Sequence, residues 1–243
     1  MKIIAMIPAR YAATRLPAKL MQLLGDKTVI RTTYDAVVST GLFHEVYVVT
    51  DSPIIFEEIS SHNGKVIMSK REHQSGSDRI AEAIASLDID VVLNVQGDEP
   101  FITREPLEKL VRLFQGGNVK VASLMRKISQ EELSRPSAVK VVVNNLNDSL
   151  YFSRSIVPYN ADPSFITDHY LHIGVYAYRK QTLLDFTKWL PGRLEQAEKL
   201  EQLRYLENGI PLRMALVEFE GIAIDTAADL ERARDYLAGS IHR

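Results

Sequence analysis

Between residues 3 and 114 short apolar runs alternate with segments of helical spacing, and this alternation limits the fold more than any other feature of the chain. Residues 3–7, 46–50, 65–68 and 91–95 are apolar, largely β-branched runs of strand length, consistent with strands buried on both faces. Between and after them, residues 28–40, 53–62, 77–87 and 105–114 carry apolar side chains at helical spacing. Gly41 is placed to stop the first helix, Ser77 or Asp78 to cap the third, and Pro106 to open the fourth. Strands separated by helices of this length argue for βαβ units and a mainly parallel central sheet. In such a sheet the ligand crevice lies beyond the carboxyl ends of the strands. Residues 8–19, Asp51, 69–76 and 96–100 are therefore where chemistry is expected.

From about 119 to 178 the pattern turns β-rich, with strand-like segments at 119–125, 138–143, 149–152 and 171–178. A single domain over 1–243 is expected, with a substrate-binding or dimerisation insertion at about 119–180. Residues 160–168, with Pro163, read as a surface loop. The end returns to helix at 181–189 and 193–207, strand at 212–217 and helix at 227–237. No apolar run reaches membrane-spanning or signal-peptide length, so a cytoplasmic protein is expected. The chain has no cysteine, which removes disulfides, thiolate nucleophiles and Cys-ligated metals. The formal net charge of −2 argues against a nucleic-acid binder. That total hides an asymmetry: residues 1–31 hold six cations and one acid, leaving the other 212 residues at −7. Such a segment suits an anionic ligand, or a solvated basic face.

The motifs lie on the expected loops. GxxxxGK[ST], GxGxxG, GxSxG and HExxH are all missing, against a P-loop enzyme or a conventional dinucleotide dehydrogenase. After the first strand stands IPARYAATRLPAK, residues 7–19. Its Arg10, Arg15 and Lys19 suit a polyphosphate: two guanidinium forks and one ammonium. Its alanines, Ala9 among them, allow close backbone approach. NVQGDEP at 94–100 puts Asp98 at a strand end, a candidate Mg2+ ligand, and IDTAADL at 224–230 supplies a second acid, Asp225. Taken by itself, either acid reads more often as a turn or cap residue. HQSGSDRI, residues 73–80, opens a helix with Ser75, Gly76 and Ser77, and Arg79 in its first turn. YFSR (151–154) ends a strand in Arg154. HIGVYAY (172–178) puts His172, Gly174, Tyr176 and Tyr178 on one strand face. EKLEQLR (198–204) carries Glu201 and Gln202 as adjacent helical polars, beside an i,i+4 pair of Glu195 with Lys199.

These motifs, together with AVKVV at 138–142, resemble in order and over nearly the whole chain the 3-deoxy-manno-octulosonate cytidylyltransferases. The resemblance implies a Rossmann-like, glycosyltransferase-A-like α/β nucleotidyltransferase and a homodimer. It implies transfer of CMP from CTP to 3-deoxy-D-manno-octulosonate (Kdo), giving CMP-Kdo and pyrophosphate for lipopolysaccharide synthesis. By the same resemblance Arg10, Arg15 and Lys19 hold the triphosphate, Ser75 and Arg79 contact the cytosine or ribose, and Ala9 belongs to the nucleotide site. Asp98 and Asp225 bind Mg2+, and Gln96, Arg154, His172, Tyr176, Glu201 and Gln202 contact the sugar, Arg154 at its carboxylate. The chain departs from the family at Ala18 and Leu20, where glycine and proline are usual, and at Ala227, where proline is usual. A cytidylyltransferase for 8-amino-Kdo or a sialic acid, and a non-catalytic sugar-nucleotide-binding protein, remain alternatives.

Overall fold

The apolar run after Lys2 forms β1 (Ile3–Ala9), buried at every position except Pro8. The structure is a computed structural model that describes all residues except 74, 163, 165, 166, 220, 242 and 243. It is organised as two units, residues 1–107 with 220–243, and residues 108–219.

In the first unit β1 leads through a 3-10 turn (Lys19–Met21) and a small hairpin, β2 (Leu23–Leu24) and β3 (Lys27–Thr28), into α1 (Val29–Ser39). Then follow β4 (Glu45–Thr50), α2 (Pro53–Ser60), β5 (Val66–Met68), α3 (Gly76–Ile84) and β6 (Val91–Asn94). β1 pairs in parallel with both β4 and β6, and β4 pairs in parallel with β5. The expected strand–helix alternation is thus present, and its strands all deliver their carboxyl ends to one edge. Thr28 caps α1 by accepting from Arg31 N, and Val29, Thr33 and Val37 form its buried stripe. Ser52 caps α2 in the same way, ahead of Pro53 at the first turn. The cap of α3 is Ser75 rather than Ser77 or Asp78, so the helix begins earlier than its apolar spacing indicates. Ser77 is turned inward and buried. α4 (Arg104–Leu113) leaves this unit and α9 (Ala227–Ile241) returns to it.

The second unit is β-rich. It holds β7 (Val121–Lys127), α5 (Gln130–Leu133), β8 (Lys140–Val143), β9 (Ser149–Ser153) and β10 (Tyr170–Arg179). α6 (Lys180–Phe186), α7 (Arg193–Glu198), α8 (Leu203–Glu207) and β11 (Arg213–Leu216) complete it. β7 runs antiparallel to β10 and parallel to β11, while β8 is antiparallel to both β10 and β9. Phe186, Tyr205 and Tyr178 stack in its core, with centroids 4.3 and 5.9 Å apart. Two expectations are corrected here. The single helix over 193–207 is two short helices, because Lys199 adopts a left-handed conformation at φ 55°. Glu195 consequently pairs with Arg204, at 2.7 and 2.6 Å, and not with Lys199. Of the expected loop 160–168, residues 163, 165 and 166 lie outside the described residues.

Candidate active site

Lys19 is the centre of the first unit's crevice. Its Nζ donates to Asp98 Oδ2 at 2.5 Å and to Asp225 Oδ1 at 2.9 Å. Arg15 Nη2 approaches the other oxygen of Asp225 at 2.8 Å. The two acids meet because Ile224 N donates to Asp98 O at 2.9 Å, which lays residues 224–225 along the turn after β6. That turn is itself held down: Thr33 Oγ1 donates to Gly97 O at 2.9 Å. A Cβ on Gly97 would lie 3.1 Å from Ile30 Cδ1 and 3.3 Å from Leu20, so the close approach of this turn to α1 favours glycine there. Burial works against the Lys19 ammonium, but Asp98 and then Asp225 outweigh it and hold its pKa above the ordinary lysine value.

Ala18, where the resemblance leads to an expectation of glycine, adopts φ 48° and ψ 36°. The loop therefore keeps a left-handed turn without glycine, and Lys19 enters the 3-10 turn pointing at the acids. Arg10, Arg15, Lys19, Gln96, Asp98 and Asp225 line one cleft of about 170 Å³. An adjoining cleft of about 200 Å³ shares Arg10 and Gln96 and adds Ala9, His73, Ser75, Gly76 and Arg79. Arg10 is exposed and makes no ion pair among the described residues. Gln96 Nε2 donates to Asn94 Oδ1 at 3.2 Å.

His73, Ser75, Gly76 and Arg79 in the second cleft are anchored. Ser75 Oγ accepts from Asp78 N at 3.1 Å and donates to Asp78 Oδ2 at 2.9 Å. Gly76 packs against Pro8, whose Cγ would be 3.1 Å from an added Cβ. Arg79 is buried, with Nη2 on Asp51 Oδ2 at 2.7 Å, and this hydrogen bond holds the Asp51 carboxyl below the usual range. His73 Nε2 contacts Glu82 Oε2. Sequence reasoning placed Asp51 at a strand tip without giving it this role. The signal was there, since an acid one strand from Arg79 is its natural counter-ion.

The expected sugar-contacting residues other than Gln96 belong to the second unit. β10 carries a two-residue bulge opposite β7 between Ile173 and Tyr176. An even insertion preserves the face, so the rings of His172, Tyr176 and Tyr178 still follow one another at 5.3 and 5.8 Å. His172 also meets Phe152 edge-on at 5.1 Å. Its Nε2 lies 2.9 Å from Ser123 Oγ and its Nδ1 3.4 Å from Gln202 Nε2. Enclosure of the ring pushes its pKa down to about 3, so it is neutral at physiological pH. Burial, and then Glu201, push the Tyr176 hydroxyl well above its ordinary value. Glu201 and Gln202 occupy the turn between α7 and α8, not a helix interior as expected.

Arg154 is held almost entirely by main chain. Its Nε donates to Glu198 O at 2.8 Å, Nη1 to Pro136 O at 3.1 Å and Nη2 to Lys199 O at 3.3 Å. Three of the five guanidinium N–H groups are so used, leaving one on each terminal nitrogen. Glu198 in turn accepts from Ser153 Oγ at 2.6 Å and Arg154 N at 3.0 Å. Fully buried Lys140 donates to Arg154 O at 2.7 Å, and burial lowers its pKa. Sequence reasoning missed Lys140, Glu198 and Ser123. A lysine amid the valines of β8 was the one visible signal.

Among the described residues no cluster of three or more His, Asp or Glu side chains is arranged to hold a metal. The Asp98–Asp225 pair fits a divalent cation that brings other ligands with it, for it already holds a cationic group between two hard oxygens.

The cytidylyltransferase family matches over residues 4–219. The chain is 57% identical to the 3-deoxy-manno-octulosonate cytidylyltransferase of Flavobacterium johnsoniae, over 98% of this chain and 99% of that protein. It is 48% identical to the enzyme of the same name from Christiangramia forsetii, over 98% and 97%. Among solved structures, a CMP:2-keto-3-deoxy-manno-octonic acid synthetase complexed with CTP superimposes with a TM-score of 0.94 at 37% identity, covering 99% of this chain and 100% of that one. A 4-diphosphocytidyl-2C-methyl-D-erythritol synthase from Anaerococcus prevotii, TM-score 0.66 at 17% identity over 98% of each chain, shares the α/β fold. The chain is an enzyme of the 3-deoxy-manno-octulosonate cytidylyltransferase family.

Proposed function

We propose that the chain transfers CMP from CTP to Kdo, releasing pyrophosphate, as a cytoplasmic, Mg2+-dependent homodimer serving lipopolysaccharide synthesis. The observation that carries this reading is the Lys19 ammonium shared by Asp98 and Asp225 in a cleft with Arg10 and Arg15. The adjoining cleft around Ser75 and Arg79 is suited to the nucleoside, since it shares Arg10 and Gln96 with the first. The names of the relatives support the substrates. No helix among the described residues is long and apolar enough to cross a membrane.

The reaction is an in-line displacement. The anomeric hydroxyl of the sugar acid forms a bond to the α-phosphorus, the bond to the bridging oxygen of pyrophosphate breaks, and the hydroxyl proton passes to solvent. Such a step needs placement and charge neutralisation more than covalent help. Arg10, Arg15 and Lys19 neutralise the departing pyrophosphate. Asp98 and Asp225 would hold Mg2+, which would supply Lewis-acid stabilisation of phosphate oxygens. Arg154 offers its two remaining N–H groups to the sugar carboxylate, as a fork fixed before the ligand arrives. His172 orients and does not act as base: both ring nitrogens are engaged and its pKa is depressed. A pyrophosphate-release assay crossing the four NTPs with Kdo, 8-amino-Kdo and a sialic acid tests the assignment. Turnover with CTP and Kdo above every other pair is expected. Preference for another sugar acid refutes the substrate, and no release with any pair refutes catalysis.

A further inference from the structure

Ser123 lies in the middle of β7, wholly buried, where no motif points to it. Its hydroxyl is 2.8 Å from Val175 O, 3.1 Å from Ile173 O and 2.9 Å from His172 Nε2. The bulge in β10 creates this arrangement, turning two main-chain carbonyls toward one side chain. Proton accounting then leaves one good solution. A serine hydroxyl has a single proton, and carbonyls accept only. If that proton went to His172, both carbonyls would face bare hydroxyl lone pairs at contact distance in a buried site. With the hydroxyl donating to one of the carbonyls, its oxygen accepts from His172 Nε2–H.

His172 Nδ1 is then an acceptor, and the Gln202 amide must offer it an N–H, at 3.4 Å. Gln202 Oε1 accepts from no other described group. We propose that Ser123 is a positioning residue: it fixes His172 as the Nε2–H tautomer, which orients the Gln202 amide so that its Oε1 faces the sugar as an acceptor. This rests on the reading of His172 and Gln202 as sugar contacts. The ligand chemistry follows, since the sugar group meeting Gln202 Oε1 is a hydroxyl that donates. The depressed pKa of His172 agrees, since a protonated ring would need an acceptor on both sides.

Two measurements test it. In enzyme labelled with 15N-histidine, the His172 signal, assigned by its loss in His172→Gln, is expected to report the neutral Nε2–H form from pH 5 to 8. Ser123→Ala is expected to shift that signal and to raise KM for Kdo about tenfold, with kcat and KM for CTP within about twofold. Ser123→Thr, which keeps the hydroxyl, is expected to restore both. An Nδ1–H signal in the parent enzyme overturns the proposal. So does an unchanged KM for Kdo in Ser123→Ala, or a KM for CTP that moves equally, which marks a general packing defect. If Gln202→Ala leaves KM for Kdo untouched, the sugar-contact reading falls and the kinetic half of the proposal falls with it; the histidine signal still decides the tautomer.

Discussion

Replacing Lys19 with methionine keeps the length of the side chain and removes the cation on which the cleft converges. The Nζ is 2.5 Å from Asp98 and 2.9 Å from Asp225, and the lysine side chain is only 17% exposed. Unit charges about 4 Å apart at an effective dielectric constant near 20 interact by about 4 kcal/mol. If Lys19 exerts that on the charge of the departing pyrophosphate, its loss lowers kcat/KM for CTP by about 10³-fold. Stability responds separately. Without the ammonium, Asp98 and Asp225 face each other with Arg15 bound to only one of them. At this partial exposure the cost is about 1 kcal/mol, a fall in Tm of roughly 2–4 °C for a chain of this size. Millimolar Mg2+ is expected to recover more of that Tm in Lys19→Met than it adds to the parent enzyme, where the ammonium already neutralises the pair. Pyrophosphate release and thermal scans with and without Mg2+ make both measurements. A Lys19→Met enzyme within tenfold of the parent in kcat/KM refutes the phosphate role. Equal Mg2+ shifts in the two proteins refute the shared site.

Glu198→Gln is expected to raise KM for Kdo about tenfold while leaving KM for CTP unchanged in steady-state assays, because the Glu198 carboxylate holds Ser153 and the backbone N–H of Arg154 in place. In acid, the Arg126 guanidinium holds the Glu132 carboxyl down to about 2. Its depressed pKa means the stabilisation is full above the unfolded value near 4.5 and is lost as pH falls through about 2. Solvent screening trims it to about 1 kcal/mol, so urea melts of Glu132→Gln should lose that amount at pH 6 and progressively less as pH falls toward 2. Ala18→Gly removes a left-handed alanine at φ 48° and should stabilise by up to about 1 kcal/mol, read as a higher urea midpoint.

What the sequence makes legible is local or periodic. Strands and helices over residues 3–114 follow from apolar spacing, and the crevice follows from where those strands end. The break at Lys199 is invisible because the apolar residues Leu194, Ala197, Leu200, Leu203 and Leu206 run straight through it and neither glycine nor proline stands between 193 and 207 to mark a stop. Its cause is distant: Glu198 turns back to Ser153 and Arg154, more than forty residues away. The early start of α3 has a similar origin, because Gly76 is seated against Pro8 of β1. Ser123 was out of reach for a different reason. A serine in a strand carries no signal until the bulge opposite it, between Ile173 and Tyr176, aims two carbonyls and an imidazole at its hydroxyl.

The cationic N-terminal segment takes a different meaning once its partners are known. Counted in sequence, its charge of +5 promises strong attraction for an anion. In the folded chain Arg15 and Lys19 are already neutralised by Asp225 and Asp98, Lys27 and Arg31 face Asp35, and Arg10 makes no ion pair among the described residues. A bare triphosphate would have to draw Arg15 and Lys19 from their acids and leave two carboxylates uncompensated beside it. A divalent cation arriving alone would have to displace an ammonium and a guanidinium, with two carboxylates among the described residues as recompense. Arriving together, the anion takes the cations while the metal takes the acids, and no charge is left unpaired. On the proposed reading, the ion pairs of the free site therefore disfavour either ligand by itself and favour the metal–nucleotide complex.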